Sequence, residues 1–126
     1  SYTDLKWANA YWELARSELK RILVDSRSFV NSWGGELYFV YLPAWFRYGD
    51  SNEISLDIQS DVCRFLGHLS QAKEYEQIIA TAESADLTVI DVTLAVDNHS
   101  DPVSLWPDDD ILHHNEKGYR LVADAV

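Results

Sequence analysis

Methionine is missing from the 126 residues, cysteine occurs once, and 10 basic residues stand against 21 acidic ones. The lone Cys63 excludes an intrachain disulfide and gives no sign of an oxidising compartment, so it is read as a small buried hydrophobe on a helix. A net charge of −11, broken only by the basic pair Lys20-Arg21, would repel a phosphate backbone and argues against nucleic acid as a partner. The same charge disfavours anionic membrane surfaces, and no apolar run approaches the roughly 20 residues that span a bilayer. A chain that starts at Ser1 and has no Met is expected to be a piece of a longer one, with any leader upstream of it. Glycine is scarce at five and proline at three, with no internal repeat or low-complexity tract, while apolar residues reach 47% with five Trp and seven Tyr. That composition fits a globular, soluble domain, not a disordered acidic tail.

Between Thr3 and Trp33 the residues Leu5, Ala8, Trp12, Ala15, Leu19 and Ile22 recur at three- and four-residue steps, which predicts one long helix or two abutting ones, stopped by Gly34-Gly35. Residues 36–42 are β-branched and aromatic on both faces after Glu36 and end at Pro43, the pattern of a strand covered on both sides. An aromatic loop, Ala44 to Asn52, precedes a helical pattern through Ile54, Ile58, Val62 and Leu66. A second helix is expected over 71–84, a second strand over 87–92, and a long polar loop over 95–109. A last helix starts at Asn115. The alternation predicts an α/β unit with a parallel sheet, and 126 residues suit a single domain segment. Two strands are too few for an independent parallel sheet buried on both faces, so the segment reads as the C-terminal half of a fold.

The final stretch carries the chemistry. In Asp110-Ile-Leu-His113-His-Asn115-Glu-Lys-Gly118-Tyr119, an acid stands three residues before a histidine on the loop into an amphipathic helix. An aspartate so placed can hold the imidazole in one tautomer and stabilise its protonated form, which makes a general-base unit. Asn115 and Glu116 supply the helix start, and Tyr119, Leu121, Val122 and Ala125 repeat at helical spacing to pack it on a core.

The pattern Asp-x-x-His-x-Asn-x-x-Gly-Tyr-x-x-Val-Ala resembles the C-terminal signature block of the SGNH, or GDSL-type, serine hydrolases, which are esterases and deacetylases. The strand ending in Pro43 and the segment Leu87-Thr-Val-Ile-Asp-Val92 are similar to late strands of that family. The likeness implies the C-terminal part of a three-layer α/β/α, flavodoxin-like fold with a parallel sheet. It also implies catalytic roles for His113 as base and Asp110 as its acid, a serine nucleophile near the family's N-terminus, no cofactor, and an O-acyl or O-acetyl ester of a small molecule or carbohydrate as substrate. His114 stands where relatives often carry an aromatic residue or proline, and it is read as solvent-facing or lining the cleft.

The triplet Gly49-Asp50-Ser51 spells the family's nucleophile motif, yet the strand before it already ends near Pro43 and too little chain lies between Ser51 and Asp110 for the intervening α/β units. Ser51 is therefore expected to be remote from His113, with the nucleophile upstream of this chain. The histidines His68, His99, His113 and His114 offer no helical pair with a third ligand in register, and Asp97 to Asp101 lacks the glycine and closing Glu of a calcium loop. No metal is expected. Trp45, Phe46 and Tyr48 can line a cleft beyond the strand end or cover the core, and Arg47 can meet a substrate carboxylate or a buried acid. Two other functions fit the same residues: an O-acyltransferase of the same superfamily, with a sugar hydroxyl as acceptor, or a non-catalytic α/β interaction domain. The unflanked strands predict self-association or contact with a missing N-terminal half.

Overall fold

A computed structural model describes residues 2–49 and 72–126. Ser51, Cys63, His68 and the helical pattern expected at 54–66 lie outside the described residues.

Helix α1 runs from Tyr2 to Ser32. It ends as the paired glycines predict: Gly34 takes φ 83, its N–H donates to the Asn31 carbonyl at 3.1 Å, and the Gly35 N–H reaches back to Val30 at 3.0 Å. This is a Schellman closure, in which a residue without Cβ enters the left-handed region and caps the last carbonyls. Strand β1 covers Tyr38–Tyr41, a short 3-10 turn Trp45–Arg47, helix α2 Ala72–Ser84 and strand β2 Thr88–Asp91. Helix α2 closes in the same way without glycine. Asp86 adopts φ 59, and the N–H groups of Asp86 and Leu87 bond back to Glu83 and Ala82. A short polar side chain makes that conformation tolerable, and Arg27 further holds the turn by donating to the Ala85 carbonyl at 2.7 Å and to Asp86 at 3.0 Å.

The two strands pair in parallel, so among the described residues the fold is α/β with a two-stranded sheet. The expectation that β1 is covered on both faces is not met. Phe39 and Tyr41 turn inward, whereas Tyr38, Val40 and the following Leu42 are exposed.

The chain divides into two compact units. In the first, Ser1–Phe39 with Gln77–Val89, the Trp12 indole donates to Gln77 at 2.6 Å, and Thr81, Ala82, Ala85 and Leu87 are buried. Leu14, Ile22 and Phe29 of α1 and the following Trp33 remain exposed, so Ile22 does not join the buried face that its spacing predicts.

The second unit, Val40–Glu76 with Ile90–Val126, has an aromatic core of Trp45, Val92, Val96, Leu105, Trp106 and Ile111. Phe46, Tyr48, Leu121 and Val122 pack around it, so the aromatics after β1 cover the core. Arg47 meets an acid of the same unit, with Nε 3.8 Å from Asp97, and its guanidinium lies over the Tyr75 ring at 5.0 Å. The Tyr75 hydroxyl donates to Asp91. Desolvation first, and that carboxylate second, push the phenol up to about 12. The stretch 95–109 is less loop-like than its polarity suggests. It holds the end of helix α3, Thr93–Asp97, and a 3-10 turn, Pro102–Leu105. Leu105 and Trp106, the apolar residues among its polar ones, plug the core.

Candidate active site

The last helix, α4, spans Glu116–Ala125. Asn115 is its N-cap: backbone extended at φ −82 and ψ −175, side-chain oxygen accepting from the Gly118 N–H at 3.1 Å. Leu121, Val122 and Ala125 face the core as their spacing predicts. Tyr119 does not. It is exposed, with its ring centre 5.9 Å from that of His114 in an edge-on arrangement.

Asp110 forms a tight turn ahead of this helix. Its Oδ1 accepts from the N–H groups of Leu112 at 2.8 Å and His113 at 3.2 Å, while Oδ2 lies 2.8 Å from Nδ1 of His113. Of three successive acids, it is therefore Asp110 and not Asp108 or Asp109 that holds the imidazole, because only its side chain folds back over the two following residues. These bonds, that from His113 first, hold the Asp110 carboxyl below the usual carboxylate range. An ionised carboxylate can only accept, so the proton sits on Nδ1 of His113 and the lone pair on Nε2 is left to take a proton from elsewhere. Among the described residues Nε2 has no partner, and the His113 side chain is 68% exposed against 41% for Asp110.

His113 and Asp110 are thus brought together as their spacing predicts. The cleft expected beside them is displaced. An open groove of about 780 Å³ lies along α4, floored by Ala95, Leu105, Leu121 and Ala125 and edged by Lys117 and Arg120, but His113 does not line it.

His114 does something the sequence did not disclose. Its ring lies 4.4 Å from that of Trp106 at 36°, half-buried, and its Nδ1 is 3.3 Å from the Leu105 carbonyl. Burial lowers its pKa, favouring the neutral ring. The site is neither solvent-facing nor a cleft wall. It is an aromatic seat against Trp106.

Gly118 explains its own presence, since a Cβ there would run into the Leu105 carbonyl oxygen and the His114 side chain. The Leu105 carbonyl is the hub that sequence reasoning missed. Besides His114 it faces the Asn115 N–H, which donates to it at 3.0 Å. Backbone acceptors leave no mark in a sequence, although the glycine pressed against this one does.

His99 accepts from the Asp101 N–H at 3.0 Å, and Asp97 accepts from the Tyr48 hydroxyl at 2.7 Å. Among the described residues no three His, Cys, Asp or Glu side chains cluster as metal ligands would, nor is any helix long and apolar enough to cross a membrane.

No family model, curated protein or solved structure matches this chain. What Asp110 and His113 can do follows from their geometry: an ionised acid fixes one tautomer, and a free imidazole nitrogen is presented at the surface from the turn ahead of a capped helix.

Proposed function

We propose that this chain is part of an SGNH-type serine hydrolase acting on O-acyl esters, above all O-acetyl esters, of small molecules or carbohydrates. In this reading the parallel pair β1 and β2 belongs to the C-terminal part of a three-layer α/β/α sheet. A serine upstream of this chain is the nucleophile. The observation that carries the reading is the 2.8 Å contact between Asp110 and His113, placed immediately before a capped helix in the order that the resembled family uses.

Nε2 of His113 takes the serine hydroxyl proton as the oxygen attacks the ester carbonyl carbon. The acyl oxygen becomes an oxyanion in the tetrahedral adduct. When the carbon to alcohol-oxygen bond breaks, the same nitrogen returns the proton to the departing alkoxide. Water, activated by His113, then releases the acid and frees the serine. Asp110 stays ionised throughout, holding the ring and stabilising the imidazolium. With a sugar hydroxyl in place of water, the same pair would support acyl transfer.

The test compares two proteins on 4-nitrophenyl acetate: the 126-residue chain, and the same chain joined to its upstream coding segment. The joined protein is expected to turn over, with kcat falling by about 10⁶-fold on His113→Ala, and the isolated chain to be nearly inert. Efficient turnover by the isolated chain, abolished by Ser51→Ala, would move the nucleophile to Ser51. An inert joined protein, without a strand-ending serine upstream, would favour the non-catalytic interaction domain.

A further inference from the structure

We propose that Asn115 is the positioning residue of the base, fixing His113 through a bridge to Ser104 that is separate from its capping of α4. The inference rests on the catalytic reading of His113 and Asp110.

Asn115 uses every hydrogen-bonding group that it points inward. Its Oδ1 accepts from the Gly118 N–H at 3.1 Å, its backbone N–H donates to the Leu105 carbonyl at 3.0 Å, and Nδ2 donates to the Ser104 carbonyl at 2.8 Å. The first of these caps the helix. The other two close a loop that leaves the core at Leu105 and returns at Asn115, with Asp110 and His113 in its span. Leu105 and Trp106 are anchored by burial at one end, and Ile111 is buried midway. The returning end, by contrast, carries the exposed His113, whose ring is tied only to Asp110 among the described residues. The local turn at Asp110 brings the two partners together, and the closed base of the loop restrains how far that turn can open. His114 adds a second clasp, being stacked on Trp106 beside the same carbonyl.

Capping and bridging need different atoms, and that separates them by experiment. Serine and aspartate cap a helix about as well as asparagine does. Aspartate has no donor and would set a carboxylate oxygen against that carbonyl, while the serine hydroxyl, one bond shorter than the amide, falls short of the place Nδ2 occupies. Asn115→Ser and Asn115→Asp should therefore leave helix content and melting nearly unchanged while freeing His113.

The readout is the tautomer of His113, followed by nitrogen-15 NMR of the histidine-labelled 126-residue chain and assigned with His113→Gln. The unsubstituted chain is expected to show the Nδ1–H form almost alone. Both bridge variants should shift it to a mixture in which the Nε2–H form, preferred by free imidazole, dominates. Bridge variants that keep the Nδ1–H form would overturn the positioning role and leave Asn115 a helix cap. Asp110→Asn distinguishes the failures: if the unsubstituted chain lacks the Nδ1–H form, or keeps it after Asp110→Asn, the catalytic pair itself is wrong and the inference falls with it.

Discussion

At the scale of single residues, the site divides into what local spacing decides and what packing decides. Asp110, His113 and Asn115 were legible because each contact involved spans three residues, a distance at which turn geometry alone brings the groups together. The use of His114 was not, since Trp106 reaches it from the opposite side of the loop. Asp110→Asn keeps the shape and removes the charge. In the protein joined to its serine it is expected to lower kcat by about 10⁴-fold with little change in KM, measured on an acetyl ester. The acid dependence of the turn has a definite sign. Because the folded Asp110 carboxyl titrates below its ordinary value, the stability that it lends is fully present above that value and is lost as pH falls through the lower, folded one. The hydrogen bonds of the Leu112 and His113 amides to Asp110, read as protection against hydrogen exchange, should accordingly persist until the pH is below about 4. His114 acts at milder pH. Its folded pKa is depressed, so the unfolded chain binds the proton more readily, and stability should fall as pH drops from above 6.5 toward the folded value. His114→Phe keeps a ring on Trp106 without the titrating nitrogen, and denaturant melts at pH 7.5 and 5.5 should lie closer together for it than for the unsubstituted chain.

At the scale of elements, starts and stops were the most legible features. Gly34-Gly35 and Asn115 act through backbone conformation and a neighbouring hydrogen bond, which need nothing from the rest of the chain. Burial was less legible. Polar neighbours made 95–109 read as a loop, yet Leu105 and Trp106 enter the core there, and Tyr119 follows the helical spacing but lies outside it. Helix α4 offers a test in which propensity and packing oppose one another. Gly118→Ala in an isolated helix would gain up to about 1 kcal/mol from propensity. Here the added methyl meets a backbone oxygen that cannot withdraw without opening the Asn115 bond to the same carbonyl. Overpacking of this kind costs about 1–3 kcal/mol. The variant should therefore be less stable in urea, and it should lose the close approach of His114 to Trp106, visible as a change in near-UV circular dichroism. A gain in stability would mean that α4 can slide away from Leu105.

At the scale of the whole molecule, the first and last helices, the helix before β2 and the two strands were readable from periodicity, while the short helix α3 and the distribution of exposed apolar surface were not. Exposure depends on what an element lacks as a neighbour, and residues 36–42 look alike whether one face is covered or both. The structure leaves Tyr38 and Val40 of β1 and the following Leu42 bare, and it leaves Leu14 and Phe29 of α1 at 64% and 70% and the following Trp33 at 64% exposed. Exposed large apolar side chains favour association, and a parallel strand pair presents unsatisfied backbone donors along its edges. A net charge of −11 opposes association at long range, but salt near 0.15 M confines that repulsion to about 8 Å, whereas apolar contact is little affected. The isolated chain is therefore expected to self-associate in a way that strengthens with salt, unless an N-terminal half of the fold covers the same surface. Light scattering over a range of concentrations should show a mass that rises with protein and with sodium chloride, and Phe29→Glu with Trp33→Glu should reduce it while leaving the Asp110 to His113 contact undisturbed. A constant monomer mass with cooperative unfolding at every concentration would show that two strands and these helices suffice as an independent domain.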